Sequence, residues 1–373
     1  MREIATLSTQ IREDITHVYF GNDLLKGTTL FRICQEMGKH FVILSDRNVA
    51  PLHGEPILNL MQKQGFYCFP ITIEGGEVDK NRRTKERVED EMYAHRLGSD
   101  TSLIAVGGGV VTDVGGFIAA TYCRGISYLT VPTSLLGMVD ASIGGKNGVN
   151  VSGGKNVIGA FHPPVATLID PSMLDTLPDG EMRSGMVEII KYGLIHHPTL
   201  FADILSNLDK CAAPSQDFLQ HLIVESCQVK AEIVATDLRG GGIRNILNFG
   251  HTIAHAIETL ERYHVSHGKA LAIGIVIESF ISQKMGHLTE DDWDTIYHLI
   301  KRLKLTPALS RKVNIDNMMK TMRADKKAQN GSPRFVILDG IGNVLPFGGD
   351  YCTTVSPSIL HEALARMIAE FIR

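Results

Sequence analysis

His251 and His255, four residues apart in HTIAH, share one face of any helix that carries them. His267 stands before a glycine in SHGKA, and Glu188 sits three residues ahead of Lys191 inside the otherwise apolar run GMVEIIKYG. A carboxylate and two imidazoles make a donor set for a catalytic divalent metal such as Zn²⁺, with one position left open for substrate. Two histidines on one helix face are more often a packed pair. Glu188 and His267, each flanked by apolar or small residues, tip the reading toward a metal. The pattern is not the H-E-x-x-H of metalloproteases.

A second constellation is built on glycine. The apolar run 103–106 ends in Gly107, Gly108 and Gly109, and a helical-length segment with Asp113, Gly115 and Gly116 follows. A strand running through glycines into a helix lets the backbone approach a phosphate at the helix's positive end. Asp113 departs from the G-x-G-x-x-G fingerprint, and tight strand–helix packing would call for the same glycines. Downstream, GGKN occurs at 144–147 and again at 153–156. Each copy sets an ammonium and an amide beside flexible backbone, which is anion-binding chemistry on a turn. Solvated lysines on a hairpin are the plainer reading.

These groups need a scaffold, and the hydrophobic pattern supplies one. Residues 1–20 read as an edge strand, 24–37 as an amphipathic helix, and 40–44 as a buried strand ending in SDRNV with Asp46 and Asn48. A helix at 57–64, a strand at 67–73, a charged helix at 84–97 and the strand at 103–106 follow. Such alternation predicts a doubly wound parallel sheet, with ligand beyond the strands' carboxyl ends, where Asp46, Glu77, Lys80 and the three glycines fall. After Pro178 the pattern turns helical, at 181–195, 217–237, 248–262, 269–285, 290–303 and 358–372, with a late strand at 334–338. The expected fold is therefore α/β, with a Rossmann-like domain over 1–178 and a mostly α-helical domain over 179–373.

The bulk composition narrows the function. A chain of 373 residues exceeds what one core comfortably fills. With 37 basic and 41 acidic residues the net charge is −4, so binding of nucleic acid or of a membrane surface is not implied. The six cysteines form no C-x-x-C pair and the first residues carry charges throughout, which predicts reduced thiols, no signal core and a cytoplasmic location.

The motifs GGGVVTDVGGF, VPTSLLGMVDASIGGKNGVN, GKNVIGAFHPP, GMVEIIKYG, RNILNFGHTIAHAIE, HGKA and ADKKAQNG stand in an order that resembles the 3-dehydroquinate synthases of the sugar-phosphate cyclase family. The resemblance runs from about residue 40 to residue 345. It implies a homodimer, an NAD cofactor, one divalent ion (Zn or Co) and an active site between two domains. It also implies that Glu188, His251 and His267 ligate the metal. NAD is expected to touch Asp46, Asn48, Glu77, Lys80, Gly107, Gly108, Gly109, Asp113, Thr133, Ser134, Asp140, Lys146 and Lys155. Around the phosphate of a sugar-acid phosphate the resemblance places Lys146, Asn156, Asn248, His255, Lys326 and Arg124, the last reaching in from the neighbouring subunit. Lys230 and Arg244 fall near the carboxylate, with Asp140 also at the substrate, and Lys191 joins the catalytic set. Seven cations converging on one cleft (Arg124, Lys146, Lys155, Lys191, Lys230, Arg244, Lys326) would repel one another until an anion arrived.

The implied reaction converts 3-deoxy-D-arabino-heptulosonate 7-phosphate to 3-dehydroquinate and phosphate, as in aromatic amino acid biosynthesis. It runs through transient oxidation, phosphate elimination, reduction and aldol closure, which makes the enzyme a carbon–oxygen lyase. The sequence departs from that pattern at Lys269 after His267–Gly268, at Asp237–Leu238–Arg239 and at Asn147. FHPP at 161–164 is closer to cyclases that form valiolone-type rings from sedoheptulose 7-phosphate, whereas Lys230 and Arg244 favour a carboxylated substrate. A metal-dependent oxidoreductase resembling glycerol dehydrogenase is the alternative from another class.

Overall fold

The computed structural model describes residues 15–25, 28–151, 154–207, 215–325 and 328–372. Strands β1 (His17–Phe20), β2 (His40–Asp46), β3 (Tyr67–Ile73), β4 (Thr101–Gly107) and β5 (Tyr128–Pro132) precede a hairpin of β6 (Lys146–Val151) and β7 (Gly154–Phe161), and β8 (Ala166–Ile169) follows. Six of them form one sheet in the order β1-β8-β5-β4-β2-β3, with every neighbouring pair parallel. Period-two alternation explains how it is covered. Val42, Leu44, Leu103 and Ala105 turn to one face, while Phe41, Ile43, Ile104 and Val106 turn to the other.

Helices α1 (Thr28–Met37) and α2 (Glu55–Lys63) close the second face through Leu30, Ile33, Ile57 and Met61. Helices α3 (Arg82–Ala94) and α4 (Gly109–Thr121) close the first through Val88, Met92, Val111 and Val114. All seven residues of β4 are buried, as a central parallel strand requires. The chain leaves β4 for β5 on one side, while β2 leads to β3 on the other. Strand order therefore reverses between β2 and β4, and a crevice opens at such a point beyond the strands' carboxyl ends.

The second half contains α5 (Asp179–Ile195), α6 (Pro198–Ser206), α7 (Gln216–Thr236), α8 (His251–Leu260), α9 (His267–Lys284), α10 (Glu290–Arg302), α11 (Ile315–Arg323) and α12 (Pro357–Phe371). Residues 184–195 of α5 and 270–282 of α9 are all buried, so these two helices form its centre. Leu135, Met138, Val139, Ile169 and Leu174 of the first half pack into the same core, giving the two halves a continuous apolar seam.

The late strand expected at 334–338 does not form. Phe335 and Leu338 make only isolated bridges, to Thr353 and Val344. Val336 and Ile337 are buried in the helical core, and the chain turns at Gly340 and Gly342, both at positive φ, so the segments returning beside it pair at single residues and extend into no ladder. The edge strand expected within 1–20 is β1, while residues 1–14 lie outside those described. No helix among the described residues is long and apolar enough to cross a membrane.

Candidate active site

His251 and His267 open α8 and α9, and the way these helices meet sets the distance between the two rings. Gly250 sits at φ +79°, ahead of His251. The buried Glu278 of α9 accepts the N–H groups of Gly250 at 2.9 Å, Thr252 at 3.1 Å and Ile253 at 3.3 Å. Those are the orphan donors of a helix start, capped here by a carboxylate from another helix. A Cβ on Gly274 would meet the Gly250 carbonyl oxygen at 2.0 Å, so α8 and α9 touch backbone to backbone.

The rings of His251 and His267 consequently lie 5.3 Å apart, centre to centre. Glu188 rises from α5 between them, its Oε1 3.5 Å from His251 Nε2 and 3.2 Å from His267 Nε2. One ligand atom from each of the three falls within 4.8 Å of the others. His251 Nδ1–H donates to the Phe249 carbonyl at 3.0 Å and His267 Nδ1–H to Glu258 Oε1 at 3.1 Å, which leaves both Nε2 atoms facing Glu188. That arrangement of outer partners is the one metal-ligating histidines use, and the donor set suits Zn²⁺ or Co²⁺.

The electrostatics agree with an exchangeable cation. Burial works against the Glu188 carboxylate, but Lys191, 2.6 Å away, and the two imidazoles hold it well below the usual range. Burial lowers His251 to about 4. Burial and Lys155 also oppose charge on His267, yet Glu258 and Glu188 outweigh them and raise it to about 9. His255 lies one turn further along α8, its ring edge-on to His251 at 5.4 Å, and its Nδ1 faces Asp325 Oδ2 at 3.4 Å. Among the described residues, Glu188, His251 and His267 form the group close enough to share an ion.

The triad faces a cleft of about 1640 Å³ between the two halves. All but four of the residues expected to hold metal, cofactor or substrate line it. Glu188 lies just behind its wall. Gly107 is turned inward against α4, where a Cβ would come 2.5 Å from Val111. Arg124 is exposed at the far end of α4, about 20 Å along the helix from Gly109. Lys326 lies outside the described residues.

On the sheet side, α4 points its amino terminus into the cleft, and Asp113 of that helix forms a buried ion pair with Lys80. Burial raises Asp113 in spite of Lys80. Asp46 Oδ1 accepts the N–H groups of Asn48 and Val49 at 2.9 and 3.1 Å, closing the turn after β2. On the helical side, Lys230 Nζ is 2.6 Å from Asp140 Oδ1, which also accepts the Tyr192 hydroxyl at 2.7 Å. Arg244 is 2% exposed; its guanidinium donates to the carbonyls of Leu238 and, at 2.9 Å, Gly144, and its buried Nε–H has no partner. Lys146 and Arg244 flank one ring, that of Phe161, at 5.8 and 5.9 Å.

Of the seven cations expected to converge on the cleft, Lys155, Lys191 and Lys230 each have a carboxylate within ion-pair distance, which offsets their mutual repulsion. Arg244 differs, because it hydrogen-bonds to neutral carbonyls and has no carboxylate within ion-pair distance among the described residues.

Three residues escaped the sequence reading. Glu258 lies seven residues after His251 on the same helix face, a spacing legible in HTIAHAIE. Glu278 was signalled only as a lone carboxylate in an apolar run. Asp237 accepts four N–H groups, from Gly240, Gly241, Gly242 and Arg244, and so fixes the loop beside Lys146; nothing in its spacing announces this.

Residues 70–184 match the model of the 3-dehydroquinate synthase N-terminal domain, and residues 185–328 that of its C-terminal domain. This chain belongs to the 3-dehydroquinate synthase family. A 3-dehydroquinate synthase of Rippkaea orientalis is 41% identical over 313 residues, which are 83% of this chain and 86% of that protein. Among solved structures, 2-epi-5-epi-valiolone synthase from Streptomyces hygroscopicus subsp. jinggangensis, with NAD⁺ and Zn²⁺ bound, superposes with a TM-score of 0.87 at 26% identity over 98% of this chain and 99% of that one. A 2-deoxy-scyllo-inosose synthase complexed with carbaglucose-6-phosphate, NAD⁺ and Co²⁺ gives 0.85 at 25% identity, over 94% and 96%. A 2-epi-5-epi-valiolone synthase and a 2-deoxy-scyllo-inosose synthase thus share this chain's architecture.

Proposed function

We propose that the chain is a 3-dehydroquinate synthase, which takes 3-deoxy-D-arabino-heptulosonate 7-phosphate to 3-dehydroquinate and phosphate with NAD and one Zn²⁺ or Co²⁺. Among ring-closing relatives the choice rests on one observation. Arg244 is a buried guanidinium that hydrogen-bonds to carbonyls and has no carboxylate within ion-pair distance among the described residues, Asp140 and Asp237 acting on it only from further away; it stands beside Lys230 on the same cleft as the ligand triad. Such a group favours a substrate carboxylate, which sedoheptulose 7-phosphate lacks.

Glu188, His251 and His267 would hold the ion. When bound, the ion supplies Lewis acidity at the substrate's oxygens and NAD supplies reversible redox chemistry at the carbon-5 alcohol. The chain's own residues do the rest. Lys230 and Arg244 fix the carboxylate end, and Lys230 is kept in place by Asp140. Lys146, Asn156, Asn248 and His255 are assigned to the phosphate end, together with Lys326. His255, backed by Asp325, relays a proton through water, while the departing phosphate itself takes the proton lost at carbon. NAD is assigned to the α4 amino terminus, with Lys80–Asp113, Thr133 and Ser134 around it. Residues 1–178 and 179–373 form the two domains. The working unit is a cytoplasmic homodimer in which each subunit's Arg124 serves its neighbour's site.

Phosphate release from the seven-carbon sugar-acid phosphate, measured with and without NAD⁺ and a chelator, tests the reading. One phosphate per turnover, no lasting NADH absorbance and loss of turnover with chelator are expected. Lasting NADH would mean a dehydrogenase. Turnover of sedoheptulose 7-phosphate but not of its carboxylated counterpart would mean a valiolone-type cyclase.

A further inference from the structure

Glu258 contributes to no ligand set, yet it is 1% exposed and sits at the centre of a charge chain that crosses the molecule. Its Oε1 takes His267 Nδ1–H at 3.1 Å and Lys155 Nζ at 2.6 Å. Lys155, on β7 of the hairpin, also lies 3.5 Å from Glu77 Oε1, and Glu77 Oε2 accepts Asn150 Nδ2 at 2.8 Å. The hairpin and the loop before α3 belong to the sheet half, whereas Glu258 and His267 belong to the helical half.

Glu258 Oε2 is buried with no hydrogen-bond partner. A buried carboxylate satisfied on one oxygen only is costly as a stability device, so its contacts point to another role. Its geometry supplies one. The His267 ring is gripped at both nitrogens, by Glu188 of α5 and Glu258 of α8, and cannot rotate without breaking a contact to a carboxylate.

We propose that Glu258 is a positioning residue for the metal site: it fixes the His267 ring through Nδ1, and Lys155 of the cofactor-side hairpin holds Glu258 in place. The proposal rests on Glu188, His251 and His267 being the ligands. Metal affinity then depends on a residue that touches no metal and on a lysine from the other half of the chain.

The test is Co²⁺ binding to metal-free protein without NAD⁺, read by chelator competition and by the visible d–d band of cobalt. Outer partners of ligating histidines typically contribute about 10–100-fold in affinity. Glu258→Ala is expected to weaken Co²⁺ by that factor and to shift the band, with far-ultraviolet circular dichroism unchanged. Glu258→Gln keeps an acceptor for Nδ1–H and should fall between wild type and the alanine variant. Lys155→Met should also shift the band. Wild-type affinity and band in a folded Glu258→Ala protein would overturn the proposal. If that variant does not fold, the same result in Glu258→Gln would overturn it. An unchanged Lys155→Met protein would overturn the link to the hairpin. His251→Ala separates the underlying reading, because stoichiometric Co²⁺ in that variant would remove the ligand set itself.

Discussion

Arg244 and Lys230, the residues proposed for the substrate carboxylate, stand on different supports. Lys230 is paired with Asp140, so its ammonium is half committed before substrate arrives, whereas Arg244 hydrogen-bonds only to carbonyls. Arg244→Ala should lower kcat/KM for the sugar-acid phosphate by about 2–5 kcal/mol, roughly 30- to several-thousand-fold. An analogue neutral at that position should lose far less, and metal content should stay near wild type. Lys230→Ala should act in the same direction, and the double variant should lose less than the sum. Equal losses on both substrates would reassign the pair to loop structure. Asp140 carries a pH consequence. Burial disfavours its charge, but Lys230 and Lys191 prevail and lower it to about 2. A depressed carboxyl contributes stability above its unfolded pKa of about 4, and that stability is lost as pH falls toward 2. Asp140→Asn should therefore be less stable than wild type at pH 7, with the gap narrowing below about pH 4 in urea unfolding measured across pH. A constant gap would mean that Asp140 acts through packing.

At the scale of elements, the contact between α8 and α9 decides whether two histidines can share an ion. Gly274 lies against the Gly250 carbonyl, and Glu278 of the same helix caps the start of α8. Gly274→Ala forces the helices apart, and overpacking of this kind costs about 1–3 kcal/mol. Because His251 and His267 head these two helices, the variant should also bind Co²⁺ more weakly. Denaturant unfolding of the metal-free protein and a cobalt titration measure the two effects. Lost stability with unchanged affinity would show that the helix contact does not gauge the site.

The whole molecule is two layered halves with their polar chemistry in the seam. An ordinary apolar seam would need no ions, yet here Lys155, Glu77 and Glu258 cross it. The proposed dimer makes a prediction at Arg124, which is exposed at the far end of α4. If each site borrows Arg124 from its neighbour, Arg124→Ala and His251→Ala are each inactive alone. Mixed and refolded in equal amounts, they should recover about a quarter of wild-type activity, because half of the dimers are mixed and each has one intact site. Activity retained by Arg124→Ala alone, or none in the mixture, would place Arg124 outside the reaction.

The parallel sheet and the helical second half were legible from periodicity, because a strand covered on both faces reads as an unbroken apolar run and β4 is one. Motif order identified the family, and residue types nominated Glu188, His251 and His267. Periodicity could not tell that RFVIL lacks a partner strand, since pairing depends on where a distant segment returns. Nor could it separate His255 from the ligands: both histidines share a face of α8, and the choice follows from Glu188 arriving beside one of them. The pairing of Lys155 with Glu258, 103 positions away, and of Glu278 with the start of α8 likewise belongs to tertiary structure. Local sequence sets which side chains are available and which face they share. Burial decides which of them must find a partner, and only the packed chain brings that partner within reach.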